Sequence, residues 1–345
     1  MKAIVKARAE PGLKIQDAPD PAPPGPGEAL IRIRAGSICG TDLHIHKWDA
    51  WAQSRIRPPQ IIGHEIAGDI VELGEGVEGY EKGQTVSVEG HIVCGRCPLC
   101  RTGQAHICPR MEIIGIDRDG GFAEYIKVPA SNLWKIDAGI PIEVAALHDA
   151  LGNAFHATLL HPVAGKSVLV LGCGPIGLLS CAIARASGAE RVFATDVNPR
   201  RLDIAERMGA DVRIDASKQD PVRVVREATE SIGADVVLEM SGAPSAIQQG
   251  LAAVRNGGEV RLLGLPAHDV PIALARDIIF KGITIHGILG RRMYETWYQM
   301  RAFLRAGRID VSPVITHRLP YQDVDKGFAA LGEGTAGKVV LRFDA

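Results

Sequence analysis

The sequence predicts an α/β protein in two parts, a β-rich N-terminal half followed by a doubly wound parallel sheet. Three observations carry that prediction. Up to about residue 137 the apolar runs are short and bounded by turns; from Leu151 near-continuous apolar strands alternate with helical segments; and the first of those strands runs into a glycine turn that opens a helix. Short turn-bounded runs are what half-buried strands leave in a sequence, whereas strands covered on both faces lose their polar alternation.

Taken in order, DPAPPGPGE from Asp20 to Glu28 is too rich in proline and glycine for a helix or central strand and reads as a surface connection. Residues 29–34 alternate like a strand, and residues 65–73 read as another. In the second half the expected strands are 167–171, 191–195, 234–239, 258–263 and 282–288, with a helix over 176–187 and helical segments between the later strands. Residues 293–307 look like an amphipathic helix, and 337–343 like a closing strand that returns to the first domain. The expected domains are therefore 1–150, with a cysteine lobe at 89–110, then 151–290, then a return over 291–345.

Charge narrows the partners. Among 345 residues, 39 are basic and 40 acidic, giving a formal net charge of −1, and no long single-sign run is present to grip nucleic acid or an anionic membrane. No apolar stretch reaches signal-peptide or membrane-spanning length. The expectation is a cytoplasmic protein with a small-molecule substrate and no nucleic acid or membrane partner. In that reducing compartment clustered cysteines are metal ligands or redox groups more often than disulfides.

The turn after the first parallel strand reads Leu171-Gly172-Cys173-Gly174-Pro175-Ile176-Gly177, a G-x-G-x-x-G pattern. Alone that pattern is weak, but a strand precedes it, a helix follows, and Asp196 ends the next strand nineteen residues beyond Gly177. Together these predict a dinucleotide site rather than a plain glycine turn in an α/β sheet. Gly172, Gly174 and Gly177 allow the tight turn and close approach, the helix start at Pro175 and Ile176 faces the pyrophosphate, and Asp196 meets the ribose hydroxyls. A carboxylate there repels the 2′-phosphate of NADP, so NAD is the expected cofactor. Arg200 and Arg201 follow, available either to hold such a phosphate or to cover the adenine; Arg201 is the candidate contact. Leu263, Gly264, Leu265, Ile288 and Leu289 fall at the carboxyl ends of later strands, where such a sheet binds its ligand, and are candidates for the nicotinamide side.

Four of the seven cysteines, Cys94, Cys97, Cys100 and Cys108, have C-x2-C-x2-C-x7-C spacing. Such spacing lets a short lobe close around a tetrahedral zinc, and four thiolates leave no position for a substrate, so the role is structural. An iron–sulfur cluster or free thiols are the alternatives, and His91 and His106 flank the lobe. A catalytic zinc needs three protein ligands and an open position. Cys39, before Gly40-Thr41-Asp42, and His64, in Gly63-His64-Glu65, are the remaining candidates, set against the plain reading of Cys39 as a small core residue. Cys173 and Cys181 read as packing residues, and the paired Arg291 and Arg292 as solvated or cofactor-contacting.

With GTD after Cys39, the GHE triplet, the four-cysteine lobe and the nucleotide fold in one order, the sequence resembles the zinc-containing medium-chain alcohol dehydrogenases over essentially its whole length. That resemblance implies a GroES-like catalytic domain, a Rossmann domain, a homotetramer, and two zinc ions per chain, one catalytic and one structural. It implies that Cys39 and His64 ligate the catalytic zinc with Glu65 as an exchangeable carboxylate ligand, and that Asp149 stands where relatives carry a further ligand, on a shorter arm than the glutamate found in many of them, so that it either ligates directly or acts through water or in the proton relay. Thr41 and His44, otherwise read as helix-capping or solvated residues, become a proton relay. Within that family the resemblance carried by the longer strings CGTDLHIHKWDAW, EGHI, GNA, EMSGAP and GRRMYETWY implies L-threonine as substrate, oxidised at its 3-hydroxyl. Trp48, Asp49 and Trp51 then become candidate pocket walls. A polyol or butanediol dehydrogenase of the same family, or a catalytically silent NAD-binding relative, are the other readings.

Overall fold

The computed structural model describes residues 1–334 and 336–344, and these fall into two compact units, Met1–Asp149 with Ile315–Ala345, and Ala150–Val314. The first unit is built around the strand Glu28–Ser37. Its alternation buries Ala29, Ile31, Ile33 and Ala35 on one face and leaves Arg32 exposed on the other. Along one edge it pairs antiparallel with Ile66–Leu73, with two register shifts that bend the pair. Its other edge is shared: Tyr125–Pro129 pairs with the first half, and Lys338–Arg342 with the last three residues, Val340 opposite Ser37. Lys338–Arg342 in turn runs parallel to Ile315–Pro320. The end of the chain therefore lies beside the segment that leads to Cys39.

A smaller antiparallel sheet joins Lys14–Asp17, Lys2–Lys6 and Gln60–Ile61. The cysteine lobe hangs from the two-residue pairing of His91–Ile92 with Glu112–Ile113. Its base is pinned by the buried Asn132, whose Nδ2 donates to the carbonyls of Glu89 at 2.7 Å and His91 at 2.8 Å. The stretch from Asp20 to Glu28 is irregular up to the start of the strand at Glu28.

In the second unit six strands form an all-parallel sheet in the order Val212–Asp215, Arg191–Asp196, Ser167–Leu171, Ala234–Glu239, Val254–Leu262, Thr284–Gly287. Strand order reverses between Ser167–Leu171 and Ala234–Glu239, the switch point at which a doubly wound sheet binds its ligand. Four helices, Pro175–Ala186, Pro199–Arg207, Pro221–Ala228 and Pro244–Ala253, each place proline in the first turn, where its missing N–H costs nothing. Asn198 and Asp220 cap two of them through their side chains.

The sequence reading missed Val212–Asp215, whose Arg213 and Asp215 break up any apolar run. It also placed the return to the first domain at residue 291. The contacts place it at Ile315, because the helix Glu295–Arg305 buries Trp297 and Met300 and sets Phe303 edge-on to Phe155, 5.1 Å between centroids, within the second unit. Arg291, read from the sequence as either solvated or cofactor-contacting, is 1% exposed and lies over the Trp297 ring.

Candidate functional site

Cys39 follows the central strand by two residues and, in extended backbone, caps the helix Gly40–Lys47. Its N–H donates to Asp42 Oδ2 at 2.9 Å, which fixes that fully buried carboxylate under the first turn. The other oxygen, Oδ1, has no hydrogen-bond partner and stands 3.9 Å from His64 Nδ1, which also has none. Burial pushes the Asp42 carboxyl up. His64 is delivered by Gly63, held at φ 94 with the Phe122 ring so close that a Cβ would lie 2.2 Å from Cδ1. No other residue fits that position.

Cys39 Sγ, a ring nitrogen of His64 and a carboxylate oxygen of Glu65 lie within 4.8 Å of one another. Glu65 Oε2 is gripped by the Ser37 hydroxyl and the Lys338 ammonium, all three buried, and Lys338 also donates to the Ile38 carbonyl at 3.2 Å. Burial opposes a charged His64, but the negative charge of Cys39, Asp42 and Asp149 outweighs it and pushes its pKa up to about 10. Surroundings that hold a proton on a buried imidazole also favour a divalent cation. Three donors, one each of sulfur, nitrogen and carboxylate oxygen, leave one place of a tetrahedral set for substrate, and with Asp42 Oδ1 and His64 Nδ1 both orphaned the group fits a catalytic zinc. Asp149 is 7% exposed and acts electrostatically on His64 and Lys338, but its carboxylate is outside the converging group.

Thr41 Oγ1 is 3.7 Å from Cys39 Sγ. His44, one turn further along and exposed, places Nδ1 2.5 Å from Asp49 Oδ2, and Asp49 Oδ1 caps the helix Ala50–Arg55 by accepting from the Ala52 N–H at 3.1 Å. Trp51 stands edge-on to His44, centroids 6.0 Å apart. Of the three candidate walls, Asp49 thus orients His44, while Trp48 ends the first helix in left-handed backbone, φ 55, under the Lys6 ammonium.

His148 is buried, and that burial, against a bond at the Ala145 backbone and the charge of Asp137, pushes its pKa down to about 3. It is neutral near pH 7. An unfolded histidine titrates near 6.5, so between those values the unfolded chain binds the extra proton. The stability linked to His148 is complete above about pH 6.5 and is lost as pH falls toward 3, by up to about 1.4 kcal/mol per unit. His148→Leu should flatten the urea-unfolding free energy against pH between about 6 and 4.5; an unchanged slope would contradict it.

In the lobe, Cys94 Sγ lies 3.5 Å from Cys108 and 3.9 Å from Cys100, and Cys97 lies 3.9 Å from Cys108. A tetrahedral zinc with bonds of about 2.3 Å spaces its sulfurs at about 3.8 Å. Backbone N–H groups of Cys100 and Arg110 donate to Cys97 and Cys108, each at 3.4 Å, and the Arg110 guanidinium to Cys94 at 3.2 Å. The Arg96 N–H, with Arg110 and others, brings the Cys94 thiol down to about 5, whereas burial and the other sulfurs push Cys100 up to about 12. Four sulfurs this close can all be thiolates only around a cation, and the group fits zinc. His91 and His106 are buried nearby and are not in it. Cys97→Ser should lower Tm by on the order of 10 °C and remove one zinc per chain, as loss of a crosslink does, while the turnover of the folded fraction stays within about twofold. Calorimetry, metal analysis and initial rates on one sample check this.

In the second unit, Gly172 turns at φ 93 against Ser241, and Gly177 packs so tightly that a Cβ would lie 2.0 Å from the Gly172 carbonyl oxygen. Gly174 caps the helix Pro175–Ala186 and faces open space, and the first-turn N–H groups at Ile176 and Gly177 point to the same end. Asp196 accepts from the Cys173 N–H at 2.8 Å and the Asn198 N–H at 2.9 Å and keeps acceptor capacity for a diol. Arg201 stands 4.0 Å from Asp196, its Nε buried without a hydrogen-bond partner. The open cradle, the acid and the orphaned donor fit a dinucleotide. Leu263 and Gly264 both donate their N–H to the Glu239 carbonyl; Leu265 and Leu289 project outward, while the Ile288 side chain is buried. Cys173 and Cys181 are fully buried in this unit.

Sequence reasoning did not single out Asp42, Ser37 or Lys338. A visible signal existed for Lys338, a lysine inside the apolar closing strand Lys338-Val339-Val340-Leu341. The role of Asp42 had none beyond its place in the GTD triplet.

Two family descriptions match, "Alcohol dehydrogenase GroES-like domain" over residues 25–138 and "Zinc-binding dehydrogenase" over residues 175–306. An L-threonine 3-dehydrogenase of Symbiobacterium thermophilum is 48% identical over 99% of this chain and 97% of its own length. One from Pyrococcus furiosus is 50% identical over 99% and 98%. The solved 2R,3R-butanediol dehydrogenase of Bacillus subtilis superposes with TM-score 0.89 at 29% identity, covering 99% of both chains. Both halves of the chain match one lineage, and the chain belongs to the zinc-containing medium-chain alcohol dehydrogenases, NAD-using oxidoreductases.

Proposed function

We propose that this chain oxidises the 3-hydroxyl of L-threonine to 2-amino-3-oxobutanoate with reduction of NAD to NADH. The observation that carries this reading is end-to-end similarity to threonine dehydrogenases, joined to the converging donor atoms of Cys39, His64 and Glu65. Zinc, when bound, supplies a Lewis acid that lowers the pKa of the substrate hydroxyl, and NAD, when bound, takes the hydride from carbon 3.

Cys39 would hold the metal through Sγ and His64 through the nitrogen turned away from Asp42, whose carboxylate stands 3.9 Å from the other ring nitrogen. Glu65, tied to Lys338 and Ser37, would supply a carboxylate ligand that gives way to water or substrate. Thr41 Oγ1 takes the hydroxyl proton and passes it toward His44, three residues along the same helix face. With Nδ1 engaged by Asp49, Nε2 of His44 is the basic nitrogen, and its exposure lets it release the proton to water. Asp149 assists through its charge. Gly172, Gly174, Pro175, Ile176 and Gly177 cradle the pyrophosphate, Asp196 binds ribose hydroxyls, and Arg201 covers the adenine. Leu263, Gly264, Leu265, Ile288 and Leu289 line the nicotinamide side. Cys94, Cys97, Cys100 and Cys108 hold a second, structural zinc.

The same reading includes a cytoplasmic homotetramer. Phe280 is 82% exposed and Ile279 67%, beside the unpaired outer edge of Thr284–Gly287, an apolar face that assembly would cover. Light scattering should give about four times 36.8 kDa, and a monomer would overturn it. Among the described residues no helix is long and apolar enough to cross a membrane.

The substrate is tested by kcat/KM for NADH formation from L-threonine, 2,3-butanediol and sorbitol. Threonine should lead by roughly 100-fold or more, since sites built for polar groups reject analogues lacking them. Equal or faster turnover of butanediol or sorbitol would favour the secondary-alcohol reading, and no turnover of any of them the silent one.

A further inference from the structure

A third set of metal-ligating side chains lies in the second unit, and the proposed oxidation uses none of them. On the strand Val254–Leu262, Glu259 and Arg261 are two residues apart and leave the same face of the sheet. The register sets His286, on the edge strand Thr284–Gly287, beside Arg261 and so on that face too. His161, two residues after the helix His148–Leu159, is brought in by the buried Arg261 guanidinium. That group donates to the carbonyls of Ala157 at 3.1 Å, Thr158 at 2.6 Å and His161 at 3.3 Å.

The three side chains converge. His161 Nδ1 is 3.0 Å and His286 Nε2 3.9 Å from the same oxygen of Glu259, and one donor atom from each residue lies within 4.8 Å of the others. The imidazoles stand edge to face with centroids 5.1 Å apart. Arg261 and Lys166 also face the carboxylate, at 2.8 Å and 3.8 Å. An ion-pair network would account for His161, Arg261 and Lys166 but leaves His286 Nε2 buried, without a hydrogen-bond partner and 3.9 Å from the carboxylate, beyond hydrogen-bond reach. A small shift of His286 toward the other two would close a triangle of two imidazole nitrogens and one carboxylate oxygen.

We propose that His161, Glu259 and His286 form a third metal site, for a borderline divalent transition metal such as nickel or zinc. Two imidazoles and a glutamate are an established zinc donor set, and imidazole selects zinc, nickel and copper over magnesium and calcium. Arg261 and Lys166 serve as outer partners that orient the carboxylate, and their charge makes the site weaker than the two cysteine-containing ones. A metal here would fasten the edge strand Thr284–Gly287 and the turn after the helix His148–Leu159 to the sheet.

The test titrates nickel ions into the full-length protein with both cysteine-containing sites loaded with zinc. Calorimetry is read beside nickel and zinc content after gel filtration. The expected result is one equivalent of nickel per chain beyond the retained zinc, with a rise in Tm on nickel addition and no displacement by excess magnesium. His286→Gln and the more exposed His161→Gln should each lose that equivalent and the Tm response while keeping zinc content and circular dichroism. Failure of the wild type to take up nickel, or uptake that persists in either folded variant, would overturn the proposal. Neither outcome depends on which alcohol the enzyme oxidises.

Discussion

Cys39→Ser is expected to lower kcat/KM for NADH formation by on the order of 1,000-fold or more, since loss of an outer partner of a metal ligand alone typically costs 10–100-fold. Its fold should survive. Cys39 is the cap of the helix Gly40–Lys47, and serine is among the best capping residues, so the Asp42 interaction and the helix start are kept. NAD affinity and Tm are therefore expected to stay near wild type while one zinc per chain is lost. Activity within tenfold of wild type would remove Cys39 from the chemistry, and collapse of the fold would make its role structural.

The second large effect is on stability. Lys338 and Glu65 are 2% and 1% exposed and form an ion pair with the Ser37 hydroxyl on the same oxygen. Lys338→Met keeps the aliphatic stem and removes the charge, leaving Glu65 in the metal-free protein buried against Ser37 alone. Breaking one side of a buried pair costs about 3–5 kcal/mol, roughly 6–20 °C in Tm for a unit of this size. Lys338→Met combined with Glu65→Gln should recover most of the loss, because the uncompensated charge goes with it. A Tm for Lys338→Met within about 2 °C of wild type would show the pair to be unimportant to the fold.

The residues that sequence patterns expose are those whose partners are near in the chain or whose type is rare. The cysteine lobe is local, with all four sulfurs within fifteen residues, and its spacing alone suggests the group that forms. Ser167–Leu171 is legible because burial on both faces leaves an unbroken apolar run ending in glycine. By contrast Lys338 reaches Glu65 across 273 residues, through the pairing of Lys338–Arg342 with the central strand, and no local pattern encodes that meeting. Asp42 reads as an ordinary first-turn acid, and its turn toward His64 depends on the φ of Gly63 and the Phe122 ring behind it. The amphipathic pattern over 293–307 shows a helix but not which core receives it; the Phe155 contact decides that.

The central claim is that an open zinc held by Cys39, His64 and Glu65 serves the reaction while the four-cysteine zinc serves the fold. The most direct measurement follows L-threonine-dependent NADH formation against zinc per chain during slow withdrawal by dipicolinate, in the His286→Gln background so that the two cysteine-containing groups alone are counted. The expected result is complete loss of activity as the count falls from about two to one, with circular dichroism unchanged and activity restored by added zinc. Full activity at one zinc per chain, or loss that comes only with unfolding, would contradict it.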